Sequence, residues 1–226
     1  MTKSELTAAG GRWQFLLTAT CCCLLFTSHA QEWTLKKDEE GIKVYSRLPE
    51  GKKLEEVRAT VRVKTSLSAF TAILKDVPGY KAWAYNCVES KVLKIVCDTA
   101  QCYYTQTDLP WPVSNRDLIF RSSLKQDSAT LVIRTNSVCM PEMLDENEDI
   151  VRIREGRTAW TLTPVAGGYV DVDYYVSINP GGSVPAWAIN STIDRGPYNT
   201  LKKVRELLEG GLHKGATFWF VKELGQ

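Results

Sequence analysis

Few side chains in this 226-residue chain have the type and spacing for catalysis. Only two histidines occur, His29 and His213, so metal sites and acid–base mechanisms that rest on imidazole start with little material. Gly-x-Ser-x-Gly, phosphate-loop and dinucleotide fingerprints are all absent. What remains is a carboxylate such as Asp108 or Asp117, which with a tyrosine could move a proton. The acidic run Asp145-Glu146-Asn147-Glu148-Asp149 lacks the glycine and terminal glutamate of a calcium loop and reads as a solvated hairpin tip. Past residue 30 the cysteines are Cys87, Cys97, Cys102 and Cys139, a set that allows three pairings. Cys97 and Cys102 flank the turn-like Asp98-Thr99-Ala100-Gln101, so a disulfide across a hairpin is one option. Zinc is disfavoured, because paired C-x-x-C units are missing and no histidine lies nearby. No metal site and no cofactor is expected.

The composition, 44% hydrophobic and 24% charged, excludes a disordered tail, a collagen-like fibre and a polytopic membrane protein. Lys and Arg number 28 against 26 Asp and Glu, and this balance offers no concentrated basic surface for a nucleic-acid partner.

Lys3 and Arg12 precede the uncharged run from Trp13 to Phe26, and small residues follow at Ser28 and Ala30. Basic flank, short apolar stretch and small residues describe a signal peptide over residues 1–30, cleaved after Ala30. A membrane anchor is the rival, but fourteen residues fall short of the ~20 that a spanning helix needs. Lipidation at Cys21 is disfavoured by Thr20 before it. The remaining stretch, 31–226, carries 26 basic and 25 acidic side chains, and its expected location is periplasmic or secreted.

Residues 32–40 read as a short charged helix. Ile42, Val44 and Ser46 alternate with Lys43, Tyr45 and Arg47, and Val57, Ala59, Val61 and Val63 alternate with Arg58, Thr60, Arg62 and Lys64, giving two strands. Leu67, Phe70, Leu74 and Val77 recur at helical spacing behind a Thr65 or Ser66 cap, and Pro78-Gly79 ends that helix. From about Cys87 to Ile178, strands and turn signals alternate as an antiparallel meander, clearest in Val170, Val172, Tyr174, Val176 and Ile178 on one face. The cover for this sheet is a helix of about 25 residues from Pro185 to the Gly210-Gly211 pair, with Gly196-Pro197 predicting a kink. With no internal repeat or linker, this order describes one α+β domain.

Several segments together resemble the START family of lipid-transfer domains, within the wider Bet v 1-like helix-grip group. Tyr80-Lys81-Ala82-Trp83-Ala84-Tyr85-Asn86 with the strand Val88–Leu93 is similar to the family's tryptophan-centred start of the meander. Asn115-Arg116-Asp117-Leu118-Ile119-Phe120-Arg121, after the Leu109-Pro110-Trp111-Pro112-Val113 loop, resembles its Arg-Asp motif. Met140-Pro141-Glu142 through Ile153 and Pro185-Ala186-Trp187 resemble the following loop and the C-terminal helix, so the likeness spans about 33–209. It implies a helix-grip fold: a curved antiparallel sheet wrapped around the long C-terminal helix, enclosing an apolar tunnel that holds one lipid. The glutamate that some sterol-binding relatives place in the tunnel has no counterpart among Tyr103, Tyr104, Thr105 and Gln106, so cholesterol is not implied.

Under this resemblance the expected ligand contacts fall in four groups. Trp83, Trp111, Trp160 and Trp187 are large rings that stack on aliphatic chains, with core packing as the competing role. Trp111, on its Pro-Trp-Pro loop, also suits a membrane interface. Tyr85, Tyr104, Asp108, Asn136 and Tyr174 lie on or beside the meander strands, and Ile189 and Ile193 on the helix. Arg116 and Arg121 are candidates for a head group, although an adjacent pair such as Arg116-Asp117 also serves to tie a loop to a strand. The expected function is an exported monomeric lipid carrier, not an enzyme, with a lipid ligand and transient membrane contact. Its alternatives are a cyclase- or aromatase-like enzyme in the same cavity and a ligand-sensing interaction module.

Overall fold

A computed structural model describes residues 32–109 and 113–225. Among them ten strands form one sheet: β1 (Thr34–Glu39), β2 (Ile42–Arg47), β3 (Glu56–Lys64), β4 (Cys87–Cys97), β5 (Ala100–Thr107), β6 (Arg116–Gln126), β7 (Ile133–Cys139), β8 (Val151–Arg152), β9 (Glu155–Val165) and β10 (Tyr169–Asn179). Their order across the sheet is β1-β2-β3-β10-β9-β7-β6-β5-β4, antiparallel throughout, and the two-residue β8 adds in parallel to β6. The helices are α1 (Leu67–Lys75), α2 (Ala186–Asn190) and α3 (Arg195–Glu209). The α+β class and the antiparallel sheet with a C-terminal helix are therefore as the sequence implies.

The alternations of β3 and β10 place Val57, Ala59, Val61 and Val63 beside Val170 and Val172 in a core that α1 and α3 cover with Leu67, Phe70, Ile73, Leu201, Val204 and Leu208. Ser66 caps α1 by accepting from the Ala69 amide at 3.1 Å. The carboxylate of Glu223, far away in sequence, accepts from the Leu67 and Ser68 amides at 3.0 and 2.7 Å, so the C-terminal tail satisfies donors that the helix leaves open. Glu223→Ala is expected to cost ~1 kcal/mol, as losing a helix N-cap does; denaturant midpoints at constant slope would measure it.

Three expectations are corrected. Residues 32–40 form no helix: Thr34–Glu39 pairs with β2 through the two-residue turn Glu40-Gly41, whose φ values are 52° and 73°. That left-handed pair matches the twist of a tight hairpin, and β1 is an edge strand whose charges suit an unpaired border. The C-terminal cover is two helices, not one. Pro197 stands in the first turn of α3, where no backbone N–H is needed, so it opens a helix and does not kink one. Upstream, the Ser191 hydroxyl donates to the Ala188 carbonyl at 2.9 Å, a local bond that competes with helix continuation. Finally, the acidic run 145–149 lies in the β7–β8 connection, whose exit strand runs parallel to β6, so it is not a hairpin tip.

Candidate functional site

Side chains of one parity along four strands converge on a cavity of about 220 Å³. β5 contributes Tyr103, Thr105 and Thr107, and β6 Leu118 and Phe120. β9 contributes Thr158 and Trp160, and β10 Tyr174, Val176 and Ile178. The turn after α1 adds Tyr80, Trp83, Ala84 and Tyr85, the start of β4 adds Cys87, and the first turns of α3 close the space with Gly196, Pro197 and Thr200. A 3.2 Å bond from the Tyr85 amide to the Thr200 hydroxyl ties turn to helix. Tyr85 is 40% exposed, so it stands where the cavity meets solvent.

The wall is a continuous aromatic network. Trp160 stacks on Tyr174 with centroids 4.0 Å apart and meets Trp83 edge-on at 6.2 Å. Tyr80 contacts Trp83 at 4.5 Å and Tyr103 at 5.4 Å, and Tyr103 continues to Phe120 at 5.9 Å. Such tilted pairs each contribute ~0.5–1.5 kcal/mol beyond burial, which makes the wall rigid. Burial pushes the Tyr103 phenol up to about 12 and the Tyr80, Tyr174 and Cys87 groups upward as well. Tyr80 donates to the Leu74 carbonyl at 2.6 Å. The indole N–H of Trp83 is buried without a partner among the described residues.

No carboxylate, ammonium, guanidinium or imidazole lines this space among the described residues. A larger hollow of about 1010 Å³ lies by the C-terminal end of α3, but its edge carries Lys64, Glu209, Lys214 and Glu223, a solvated charged surface. The aromatic cavity is the better ligand site, since ligand pockets are apolar with a few placed polar groups. Nowhere among the described residues do three His, Cys, Asp or Glu side chains come together to hold a metal ion. Nor is any described helix long and apolar enough to cross a membrane.

Of the residues named from sequence, Trp83, Tyr85, Trp160 and Tyr174 meet at the cavity. The others among the described residues do not line it. Tyr104 has the opposite parity to Tyr103 and lies 4.7 Å under the Lys91 ammonium. Asp108 and Arg121 are exposed, and the Asn136 side chain accepts from Arg157 at 2.8 Å. Trp187 on α2 is 75% exposed, Ile189 is half-buried outside the lining, and Ile193 packs against the core from the break between α2 and α3. Trp111 lies outside the described residues. Arg116 is buried and donates to the carbonyls of Ser114, Pro180 and Gly181, which holds the Gly181-Gly182 turn ahead of α2. Asp117 is taken by Arg152, so the adjacent Arg-Asp pair fastens loops, the second role considered for it.

The Cys97–Cys102 bridge is also corrected. The turn Asp98-Thr99 sets Cys97 opposite Ala100 and Cys102 opposite Lys94, with Cys97 exposed and Cys102 buried, and both are free thiols. Sequence reasoning missed Tyr80, Tyr103, Phe120, Thr158 and the threonines of β5. A usable signal existed in β6: Arg121 and Lys125 share a face, which leaves Leu118 and Phe120 for the interior.

Comparison with known proteins gives a consistent picture. The family model described as START domain matches residues 18–210. A crystal structure of a STAR-related lipid transfer protein from Xanthomonas axonopodis superposes with a TM-score of 0.73 at 38% identity, covering 78% of this chain and 98% of that one. An uncharacterised protein of Pseudomonas aeruginosa is 34% identical over 180 residues, 80% of this chain and 88% of the relative. The human phosphatidylcholine transfer protein is 26% identical over 188 residues, 81% of this chain and 86% of that protein.

Proposed function

This chain belongs to the START domain family, and from that membership we propose that it is an exported carrier that holds one lipid in the aromatic cavity between the sheet and α3 and passes it between membranes. The observation that carries this reading is the cavity itself: an aromatic, hydroxyl-bearing space under the C-terminal helix, built on a fold shared with a STAR-related lipid transfer protein. Apolar ligand area removed from water is worth ~25 cal/mol per Å², enough to hold a lipid without chemistry. At about 220 Å³ the cavity is smaller than the ~300–1,000 Å³ of ordinary ligand pockets, so a whole lipid requires its cover to move. The elements suited to open are α2, the break before α3 and the Gly181-Gly182 turn, whose φ values of 64° and 71° favour glycine. A carrier is favoured over a cyclase-like enzyme because Asp108 is exposed and Asp117 is bound to Arg152, so neither carboxylate stands at the cavity.

Export rests on the N-terminal pattern of residues 1–30, and membrane contact on Trp111 and the exposed Trp187. Native mass spectrometry of residues 31–226 should find a monomer carrying one lipid, and vesicle assays should show transfer. A protein that takes up no lipid from vesicles of any composition would end the carrier reading. Trp111→Ala with Trp187→Ala should weaken vesicle binding several-fold while leaving lipid capacity in solution intact, as sedimentation with vesicles would show.

A further inference from the structure

We infer that the cavity takes an uncharged lipid, one whose polar end is an alcohol, ester or ketone, and that it rejects lipids whose buried end is a phosphate or a carboxylate. This rests on the carrier reading and narrows its ligand. The first observation is the lining. Of the eighteen described residues around the cavity none carries a charge. An anion taken from water into such a space has no counter-ion, and burying an unpaired charge is among the costliest events in a protein.

The second observation concerns the buried cations among the described residues, Arg152 and Arg116, which are held outside the cavity. The Arg152 guanidinium gives all five of its N–H groups to Asp117 and to the carbonyls of Pro141, Leu144 and Asp145. Arg116 gives three N–H groups to the carbonyls of Ser114, Pro180 and Gly181, and neither arginine lines the cavity. The third is that the polar end of the ligand belongs inside. Tyr103, Tyr174, Thr105, Thr107 and Thr158 bring hydroxyls to the wall, and Trp83 brings a ring whose buried N–H is unpartnered. A hydrocarbon tail alone would leave the Trp83 N–H without a bond, whereas a hydroxyl or carbonyl oxygen can accept from the indole or a phenol, and a hydroxyl can also donate to a threonine. The same burial that holds the Tyr103 phenol neutral, with its ionisation pushed up to about 12, acts against any anion placed beside it.

Matched ligands on the unmodified protein test this without risk to folding. Retinol against retinoate, oleyl alcohol against oleate, and dioleoylglycerol against dioleoylphosphatidylcholine and dioleoylphosphatidate, at pH 8, differ chiefly in their polar end. The uncharged member of each set should bind at least ~100-fold more tightly than the charged ones, by tryptophan fluorescence and by extraction of the loaded protein. Equal binding of dioleoylphosphatidylcholine and dioleoylglycerol would overturn the inference while leaving a lipid carrier. Failure of every ligand in the panel, charged and uncharged, would instead remove the carrier reading on which it rests.

Discussion

Asp117→Ala is expected to lower the unfolding free energy by ~3–5 kcal/mol, the largest stability loss of any single carboxylate in the sheet. Asp117 and Arg152 sit opposite one another where β8 joins β6 in parallel, each side chain 2% exposed, with bonds of 2.7 and 3.0 Å. Removing the carboxylate leaves a guanidinium buried without a counter-charge, and that guanidinium also holds the carbonyls of residues 141, 144 and 145. Partial release of the β7–β8 connection should follow, visible as faster amide exchange at Val151 and Ile153, whose amides bond to Asn115 and Asp117. Arg62→Ala, which breaks the exposed pair with Asp171, should cost under ~1 kcal/mol. If urea melts gave the two variants the same loss, the buried pair would not have the role assigned to it.

Filling the cavity should have the largest effect on function. Val176 lies opposite Thr158 across the β9–β10 ladder, and both line the cavity, so an indole at 176 enters the space a ligand would occupy. Val176→Trp should abolish the copurifying lipid and slow vesicle transfer at least ~10-fold, equivalent to ~1.4 kcal/mol. Overpacking a filled core costs ~1–3 kcal/mol, and here the low end is expected because the new ring enters a void. Val138→Trp on the exposed face of β7 serves as control and should leave transfer unchanged. Normal transfer by a folded Val176→Trp protein would place the lipid elsewhere.

The strands and α1 were legible because their signals are local. The alternations in β3 and β10 and the 3–4 spacing of α1 require only neighbours along the chain, and the START resemblance came from motifs in chain order. Four of the named ligand contacts meet at the cavity for the same reason: Trp160 and Tyr174 lie on faces whose dry side is plain in the sequence, and Trp83 and Tyr85 flank the start of β4. Tyr104 and Tyr103 differ by one position, however, and a one-residue shift reverses the face. Nothing in Ala100–Thr107 marks which parity faces inward, since residues 100–104 are buried on both sides.

The sequence by itself determined the family, the α+β class, the near-balance of charge and the scarcity of groups that could catalyse. These follow from composition, periodicity and short motifs, none of which depends on what lies across the fold. Tertiary structure decided what depends on a partner distant in sequence. β1 became a strand because β2 was there to pair with it, and Asp117 lost its freedom to Arg152, thirty-five residues on. Pro197 became a helix start once residues 191–194 turned the chain. The uncharged character of the cavity likewise belongs to no segment: it arises because five strands, a turn and α3 each direct uncharged side chains to one place while their charged groups face outward or, like Arg116 and Asp117, are bonded elsewhere.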